Sequence, residues 1–242
     1  MMQNPLANIS PVVKNLLIIN VICFLPSIFY SHNFSGNSDP VASAFGIYYI
    51  DSPAFRPWQL ITHMFLHGGW THIIFNMFAL YSFGNIVEYV MTSKRFLAFY
   101  FICGLGAVAL QLLVQGIEVY SITGHFTLSS PELDSSYLQY GDSAMKLYSI
   151  YHFPMVGASG AISGVLLAFR LFYPNAELMI MFIPVPIKAK YVIPFYILLS
   201  IYLGVAQVAG DNVAHFAHLG GALLGFILVK AWKIKGPGDY SF

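Results

Sequence analysis

Long apolar stretches dominate the pattern of hydrophobic and polar positions along this chain. A helix that crosses a membrane needs about 20 mostly apolar residues, and six stretches have roughly that length or more. They lie at residues 12–30, 61–90, 96–114, 154–172, 191–209 and 213–232. The stretch 177–191 is shorter and contains prolines, so we expect a loop or an interfacial strand there. The pattern predicts an all-α polytopic membrane protein, with one six-helix domain over residues 1–242.

Composition agrees with this fold class. Hydrophobic residues make up 57% of the chain and charged residues 9%, whereas a soluble domain has about 25% charged residues. So few charges cannot cover a soluble surface. The net charge of +1 indicates no nucleic acid and no polyanionic partner. The two cysteines, Cys23 and Cys103, lie in apolar stretches, which favours free thiols.

The basic residues predict the orientation in the membrane, because Lys and Arg accumulate on the cytoplasmic side. A cytoplasmic N-terminus puts nine of the eleven inside: Lys14, Lys94, Arg95, Arg170, Lys188, Lys190, Lys230, Lys233 and Lys235. Only Arg56 and Lys146 fall outside. Both termini are therefore expected in the cytoplasm. Two long external loops follow, over about 31–60 and 115–153, and we expect the second to be irregular, with a short helix as an alternative for part of it.

Polar side chains within the apolar stretches concentrate at three predicted helix ends, all on the outer side. They are His63, His67, His72 and Asn76 near the second span, Ser159 in the fourth, and His215 and His218 in the sixth. Because a polar group inside a membrane is unfavourable unless it is paired or hydrated, such residues suggest a function. A serine and a histidine from different helices could form a nucleophile and its base.

We therefore predict a serine-type acyl-transfer site. Ser159 is the candidate nucleophile and His218 the candidate general base. The backbone N–H of Ser159, with the side chains of His72 and Asn76, could stabilise a developing oxyanion. Asp211, the acid nearest to His218 in sequence, falls in an outer loop, which favours a dyad over a triad.

The glycines near these residues have a predicted role in helix packing. Gly160 and Gly164 form one small-residue face, and Gly221 and Gly225 form another. Two such faces allow close approach of the fourth and sixth helices. We also expect Gly157 and Gly160 to let a substrate backbone approach the serine without a side chain in the way.

Other interpretations of these residues compete with the catalytic one. A lone serine on a glycine-rich membrane helix is usually packing material. His215 could be mistaken for the base, although the glycine spacing favours His218. His63 and His67 suit structural hydrogen bonding. No H-E-x-x-H motif occurs and no carboxylate lies among the histidines, so we expect no metal. A transporter would show repeats and charges at the membrane midplane, whereas the sequence shows no repeat and few such charges.

Three motifs, in order along the chain, resemble those of the rhomboid intramembrane serine proteases. The family's HxxxxHxxxN element corresponds to residues 67–76, its GxSG element to 157–160, and its AHxxGxxxG element to 217–225. The resemblance runs from about Trp58 to Trp232. The G-x-S-x-G elbow of soluble hydrolases is absent, because Ala161 follows Gly160.

The resemblance implies a six-helix bacterial core in the inner (plasma) membrane, which cleaves single-span membrane-protein substrates within the lipid bilayer. It implies Ser159 as nucleophile, His218 as base, and His72 and Asn76 as oxyanion-hole side chains, without a cofactor. An alternative is a catalytically inactive rhomboid-like scaffold that binds membrane helices. Such proteins typically lack the serine or the histidine, and this chain has both.

Two positions depart from the family pattern. Gln59 follows Trp58 where the family usually has arginine, so the bracing of the first external loop must differ. Many members also carry an aromatic residue one turn after the nucleophile, which stacks on the histidine. Ser163 occupies that position here, and support for His218 must come from elsewhere.

Overall fold

The computed structural model describes residues 9–33, 39–128, 137–180, 183–206 and 213–237. The first helices are α1 (Pro11–Asn33), α2 (Pro40–Phe45), α3 (Gln59–Thr62), α4 (Trp70–Ala79), α5 (Asn85–Met91) and α6 (Ser93–Thr123). The later elements are α7 (Ala144–His152), α8 (Ser159–Phe172), β1 (Glu177–Ile180), β2 (Ile183–Lys188), α9 (Ala189–Ala206) and α10 (His215–Ala231). Short 3₁₀ segments at His63–Phe65 and Tyr137–Ser143 and a π turn at Leu80–Gly84 complete the secondary structure of these ranges.

The apolar helices confirm the all-α membrane class. By length and composition, four stretches among the described residues could cross a membrane: Pro11–Tyr30, Trp70–Met91, Ser93–Thr123 and Ala189–Ala206. Two shorter apolar helices, α8 and α10, lie between α6 and α9 in the packing of the bundle. The stretch 177–191 contains the antiparallel hairpin of β1 and β2, where Glu177 pairs with Lys188.

The second apolar stretch differs from its prediction at its beginning. Residues 61–69 form the end of α3, a 3₁₀ turn and an irregular link, and the long helix begins only at Trp70. Gly68 and Gly69 follow His67 directly and favour this interruption. The polar first third of the stretch therefore belongs to a folded loop above the helix.

In the part that the structure describes, the segment after the third span contains more helix than the apolar pattern predicts. Helix α6 continues nine residues beyond the predicted end at 114 and stops at Gly124, whose φ of 78° suits glycine. Polar residues such as Gln115 and Glu118 ended the apolar pattern without ending the helix. A 3₁₀ segment and α7 then fold back against this extension.

A second, small hydrophobic core holds this extension to the first external loop. Tyr49, Val119, Leu147 and Tyr151 are buried together. Asp51 accepts hydrogen bonds from the Tyr151 hydroxyl and the backbone N–H of Leu128, both at 2.9 Å. Burial, together with the hydrogen bond to Asp51 and its charge, raises the pKa of Tyr151, so its hydroxyl remains a donor at neutral pH.

The main core forms where α6, α8 and α10 pack together. A Cβ at Gly221 of α10 would overlap the carbonyl oxygen of Gly160 in α8. A Cβ at Gly225 would lie 2.8 Å from the Cα of Gly164. Real Cβ atoms do not approach so closely, so the two helices touch through their backbones, as the glycine spacing predicts.

Candidate active site

Ser159 lies at the first residue of α8, where the chain enters the helix from an extended segment. The first N–H groups of a helix have no acceptor within that helix, and the helix dipole adds positive potential at this end. The residue before it, Ala158, provides no side-chain cap. The hydroxyl and the backbone N–H of Ser159 therefore lie at the end of the helix where a negatively charged group is stabilised.

His218 reaches this serine from a different helix. It lies in the first turn of α10, and its Nε2 is 2.9 Å from the Oγ of Ser159, within hydrogen-bond distance. A neutral imidazole with its proton on Nδ1 has Nε2 free to accept the serine proton. The backbone contact at Gly160 and Gly221 lies just below this pair and sets how close the two helices come.

Gly157 separates the serine from His72. Its φ of 139° lies in the region that favours glycine. A Cβ at this position would lie 2.9 Å from the Nε2 of His72 and 3.5 Å from the Oγ of Ser159. Glycine therefore keeps open the gap between the hydroxyl and the imidazole, which is where a reacting carbonyl oxygen would have to fit.

The two candidate oxyanion donors lie on α4 at the same end of the bundle. The backbone N–H of Gly68 donates to Nδ1 of His72 at 3.4 Å, which favours the tautomer with a proton on Nε2, the nitrogen beside Gly157. Asn76, one turn further, is buried, and its Nδ2 has no hydrogen-bond acceptor among the described residues. Both side chains thus retain a donor for an additional partner.

The loop before α4 holds this arrangement through backbone hydrogen bonds. The N–H of Gly157 donates to the carbonyl of His63 at 2.9 Å, and the Nδ1 of His63 donates to the carbonyl of Gln59 at 2.8 Å. Gln59 is buried, donates to the carbonyl of Ala54 and accepts from the N–H of Arg56. Gln59 therefore braces the loop from the position where the resemblance suggests arginine.

The remaining histidines and Gly160 lie around the pair. His215 is the first residue of α10, with its ring centroid 6.2 Å from that of His218. His67 is buried, with its ring 5.1 Å from that of His72. Gly160 packs against Ala107 and against α10, so it has a packing role, and its part in substrate approach stays a prediction. Asp211 lies outside the described residues.

Two residues that sequence reasoning missed face the site. Gln111 of α6 helps to line a pocket beside Ser159, and its Oε1 is buried with no hydrogen-bond donor among the described residues. A glutamine between leucines in an apolar stretch was a signal that could have revealed it. Tyr196 of α9 lies against the ring of His218, with centroids 5.9 Å apart. Nothing in the pattern of α9 marks that tyrosine.

The family model of the rhomboid domain matches residues 54–232 of this chain. The chain belongs to the rhomboid family. The matched region includes Ser159, His218, His72 and Asn76, and it covers most of the helical bundle. The all-α bundle is therefore a rhomboid-like membrane fold, as the three motifs predict.

Curated relatives include proteins named as rhomboid proteases. The chain is 27% identical to Rhomboid protease AarA of Providencia stuartii over 72% of this chain and 56% of the relative. It is 29% identical to Rhomboid protease GluP of Bacillus subtilis over 76% of this chain and 28% of the relative. It is also 27% identical to the mitochondrial RHOMBOID-like protein 12 of Arabidopsis thaliana, over 76% of this chain and 48% of the relative.

The chain spans about half or less of the length of these relatives. Family membership and the two named proteases support an intramembrane protease type of function. The apolar helices together with the family place the protein in a membrane.

Proposed function

We propose that this protein is an intramembrane serine endopeptidase that cleaves single-span membrane proteins by a Ser159–His218 dyad. The 2.9 Å separation between the His218 Nε2 and the Ser159 Oγ carries the proposal. Membership of the rhomboid family supports it, because the family acts on membrane-protein substrates within the lipid bilayer.

The reaction begins when the Oγ of Ser159 attacks the carbonyl carbon of a substrate peptide bond and the Nε2 of His218 takes its proton. The carbonyl oxygen becomes an oxyanion next to Gly157. Donors are then available from the Ser159 N–H, His72 and Asn76. Their preorganisation is supported by the loop that holds Gly157 to the His63 carbonyl.

The intermediate collapses when the protonated His218 gives its proton to the leaving nitrogen, which breaks the peptide bond and leaves an ester on Ser159. Water then attacks this ester with His218 as base again, and the serine hydroxyl is regenerated. Polar residues around the site, including Gln111, offer water a place near the serine. No metal or organic cofactor is required by these steps.

The substrate must expose a peptide carbonyl to this site. A peptide bond inside a regular membrane helix is protected by its own hydrogen bonds. We therefore propose cleavage near the outer end of a substrate span, where small residues allow the helix to unwind. We also propose that both termini lie in the cytoplasm and that the site lies near the outer leaflet of a bacterial inner membrane, a proposal that the distribution of basic residues supports.

The test is cleavage of a generic single-span membrane protein by the purified protein in detergent. Ser159→Ala is expected to reduce the rate at least about a thousandfold while the protein stays folded, because no other group replaces the nucleophile. Ser121→Ala is the control, since Ser121 lies exposed near the end of α6 and its hydroxyl donates to the Glu118 carbonyl of the same helix.

A fluorophosphonate probe provides a second measurement that needs no substrate. We expect it to label Ser159 in the wild type and to leave Ser159→Ala unlabelled. Cleavage retained by Ser159→Ala would exclude the assigned nucleophile. A folded wild-type protein that neither cleaves nor becomes labelled would favour the scaffold alternative.

A further inference from the structure

The ring of His218 has an aromatic neighbour from the peripheral helix α9. Tyr196 lies with its ring centroid 5.9 Å from that of His218 and its plane inclined by 31°. This distance and tilt fall within the range of attractive ring contacts. Ser163, one turn after Ser159 on α8, has no ring with which to make such a contact.

The hydroxyl of Tyr196 has a fixed partner. Ser163 Oγ lies 3.1 Å from the Tyr196 hydroxyl and donates to the carbonyl of Ser159 at 2.8 Å. The Tyr196 hydroxyl also bonds to the side chain of Ser200, one turn further along α9. It therefore lies between two serine hydroxyls, one from α8 and one from its own helix, which fixes its position.

These contacts link α8, α10 and α9 into one ring of neighbouring side chains. Ser159 meets His218 through the 2.9 Å side-chain contact, His218 meets the ring of Tyr196, and the Tyr196 hydroxyl returns through Ser163 to the Ser159 carbonyl. Each helix contributes at least one member. A shift of α9 therefore changes the surroundings of the histidine directly.

Helix α9 is held to the bundle by few inward residues. Its buried residues are Ala189, Ile193 and Ser200. Large side chains on its other faces are exposed, among them Phe195, Leu198 and Tyr202. Tyr196 is thus one of a small number of groups through which α9 contacts the interior of the bundle.

We propose that Tyr196 is a positioning residue that holds the imidazole of His218 in line with Ser159, with Ser163 fixing the tyrosine hydroxyl. The proposal rests on the proposed function of the Ser159–His218 pair. Tyr196 touches neither substrate nor the reacting atoms and acts through the histidine. It provides from α9 the aromatic support that Ser163 cannot provide from α8.

The test measures the rate constant of fluorophosphonate labelling of Ser159 in the full chain, purified in detergent. Tyr196→Leu is expected to slow labelling about five- to tenfold, the range that loss of one aromatic contact allows. With a cleavable single-span protein, kcat should fall by the same factor and KM should stay unchanged. Tyr202→Leu makes the same change on the exposed face of α9, 66% exposed, and should label at the wild-type rate.

Two conservative variants test the hydroxyl bond separately. Tyr196→Phe keeps the ring and should label about two- to threefold more slowly than the wild type, and Ser163→Ala should show a similar loss. If the two hydroxyls act through each other, the double variant is no slower than either single variant. Independent, multiplying effects would overturn the role of Ser163.

The outcomes separate this proposal from the proposed function. Wild-type labelling at Ser159 with an unchanged rate in folded Tyr196→Leu would overturn the positioning role and leave the dyad intact. No labelling of Ser159 in a folded wild type would overturn both. If Tyr196→Leu does not fold, Tyr196→Phe and Ser163→Ala decide, because wild-type rates in both would overturn the anchored arrangement.

Discussion

The buried polar groups near the two ends of the span Trp70–Met91 differ in how completely they are hydrogen-bonded. At the end near the candidate site, Asn76 Nδ2 and both ring nitrogens of His67 are buried without hydrogen-bond partners among the described residues. At the other end, the carboxylate of Glu88 is buried and accepts four hydrogen bonds. The polar groups near the candidate site thus keep hydrogen-bond donors without an acceptor, whereas the Glu88 carboxylate is saturated with donors.

The Glu88 cluster explains what a structural polar group looks like in this bundle. Ser10 and Ser93 donate their hydroxyls at 2.7 and 2.6 Å, and the N–H groups of Val12 and Val13 donate at 3.1 and 2.9 Å. The last two belong to the first turn of α1, whose N–H groups need an external acceptor. Glu88 therefore fastens α1 to α5 and α6.

The difference teaches how to separate function from stability in a membrane bundle. A fully bonded buried group contributes to folding, whereas an incompletely bonded one is retained at an energetic disadvantage unless something else uses it. Substitutions at the His72 end should therefore lower activity with little loss of stability. Substitutions at the Glu88 end should do the reverse.

The largest expected effect is that of His218→Ala. Removal of the base should lower the cleavage rate at least about a thousandfold, because the serine loses the group that takes its proton. Thermal unfolding should remain near that of the wild type. His215→Ala is the matched control on the same helix turn and should keep substantial activity. If the two variants behaved in the opposite way, His215 would be the base.

The next largest effect concerns folding rather than chemistry. Glu88→Ala leaves two backbone N–H groups and two hydroxyls without their acceptor, so we expect a loss of about 3 kcal/mol in unfolding free energy. Activity per folded molecule should be close to that of the wild type. Denaturation monitored by circular dichroism in detergent measures the loss.

The control for this variant is Glu118→Ala. Glu118 pairs with Lys146 at 2.9 Å, and such a partly exposed ion pair contributes less than about 1 kcal/mol. Equal destabilisation by the two variants would contradict the role assigned to Glu88.

Asn76→Ala should have an intermediate effect on catalysis. Loss of one oxyanion donor typically lowers kcat about a hundredfold. KM and thermal stability should change little, because Nδ2 of Asn76 has no hydrogen bond to lose among the described residues. Steady-state kinetics on a single-span protein measure the two constants separately. A marked fall in stability with kcat preserved would show that Asn76 stabilises the fold and is not an oxyanion donor.

The smallest expected effect is at the external core. Asp51→Asn weakens the acceptor for Tyr151 and for the Leu128 N–H, which should reduce local stability by about 1 kcal/mol. Hydrogen exchange in α7 should then become faster, while exchange in α8 stays unchanged. Unaltered exchange in α7 would show that the apolar contacts alone hold this region.

The helical bundle and its closest helix contact could be predicted from the sequence because both rest on simple spacings. Apolar length predicts spanning helices. The pairs Gly160 with Gly164 and Gly221 with Gly225 predict which faces meet, and the structure places them in contact. The spacing along the sequence is enough to predict a helix contact when two glycines recur one helical turn apart on each helix.

The remaining features depend on contacts that no local pattern encodes. Helix α6 extends to Thr123 because an external hydrophobic core covers Val119, and that core includes residues far along the chain. Tyr196 supports the histidine from a helix that carries no motif. Gln59 braces its loop through the backbone groups of Arg56 and Ala54. The roles of these three features depend on contacts between residues far apart in the sequence, so they could be assigned only from the structure.

The contact of Gly160 with Gly221 has a consequence for how the bundle tolerates its surroundings. Main-chain atoms cannot change rotamer, so the spacing between α8 and α10 does not depend on how neighbouring side chains or lipid tails are arranged. Changes in lipid composition or in the outer faces of the helices can therefore be absorbed elsewhere. The backbones that carry Ser159 and His218 keep their separation while the outer faces of the helices adapt.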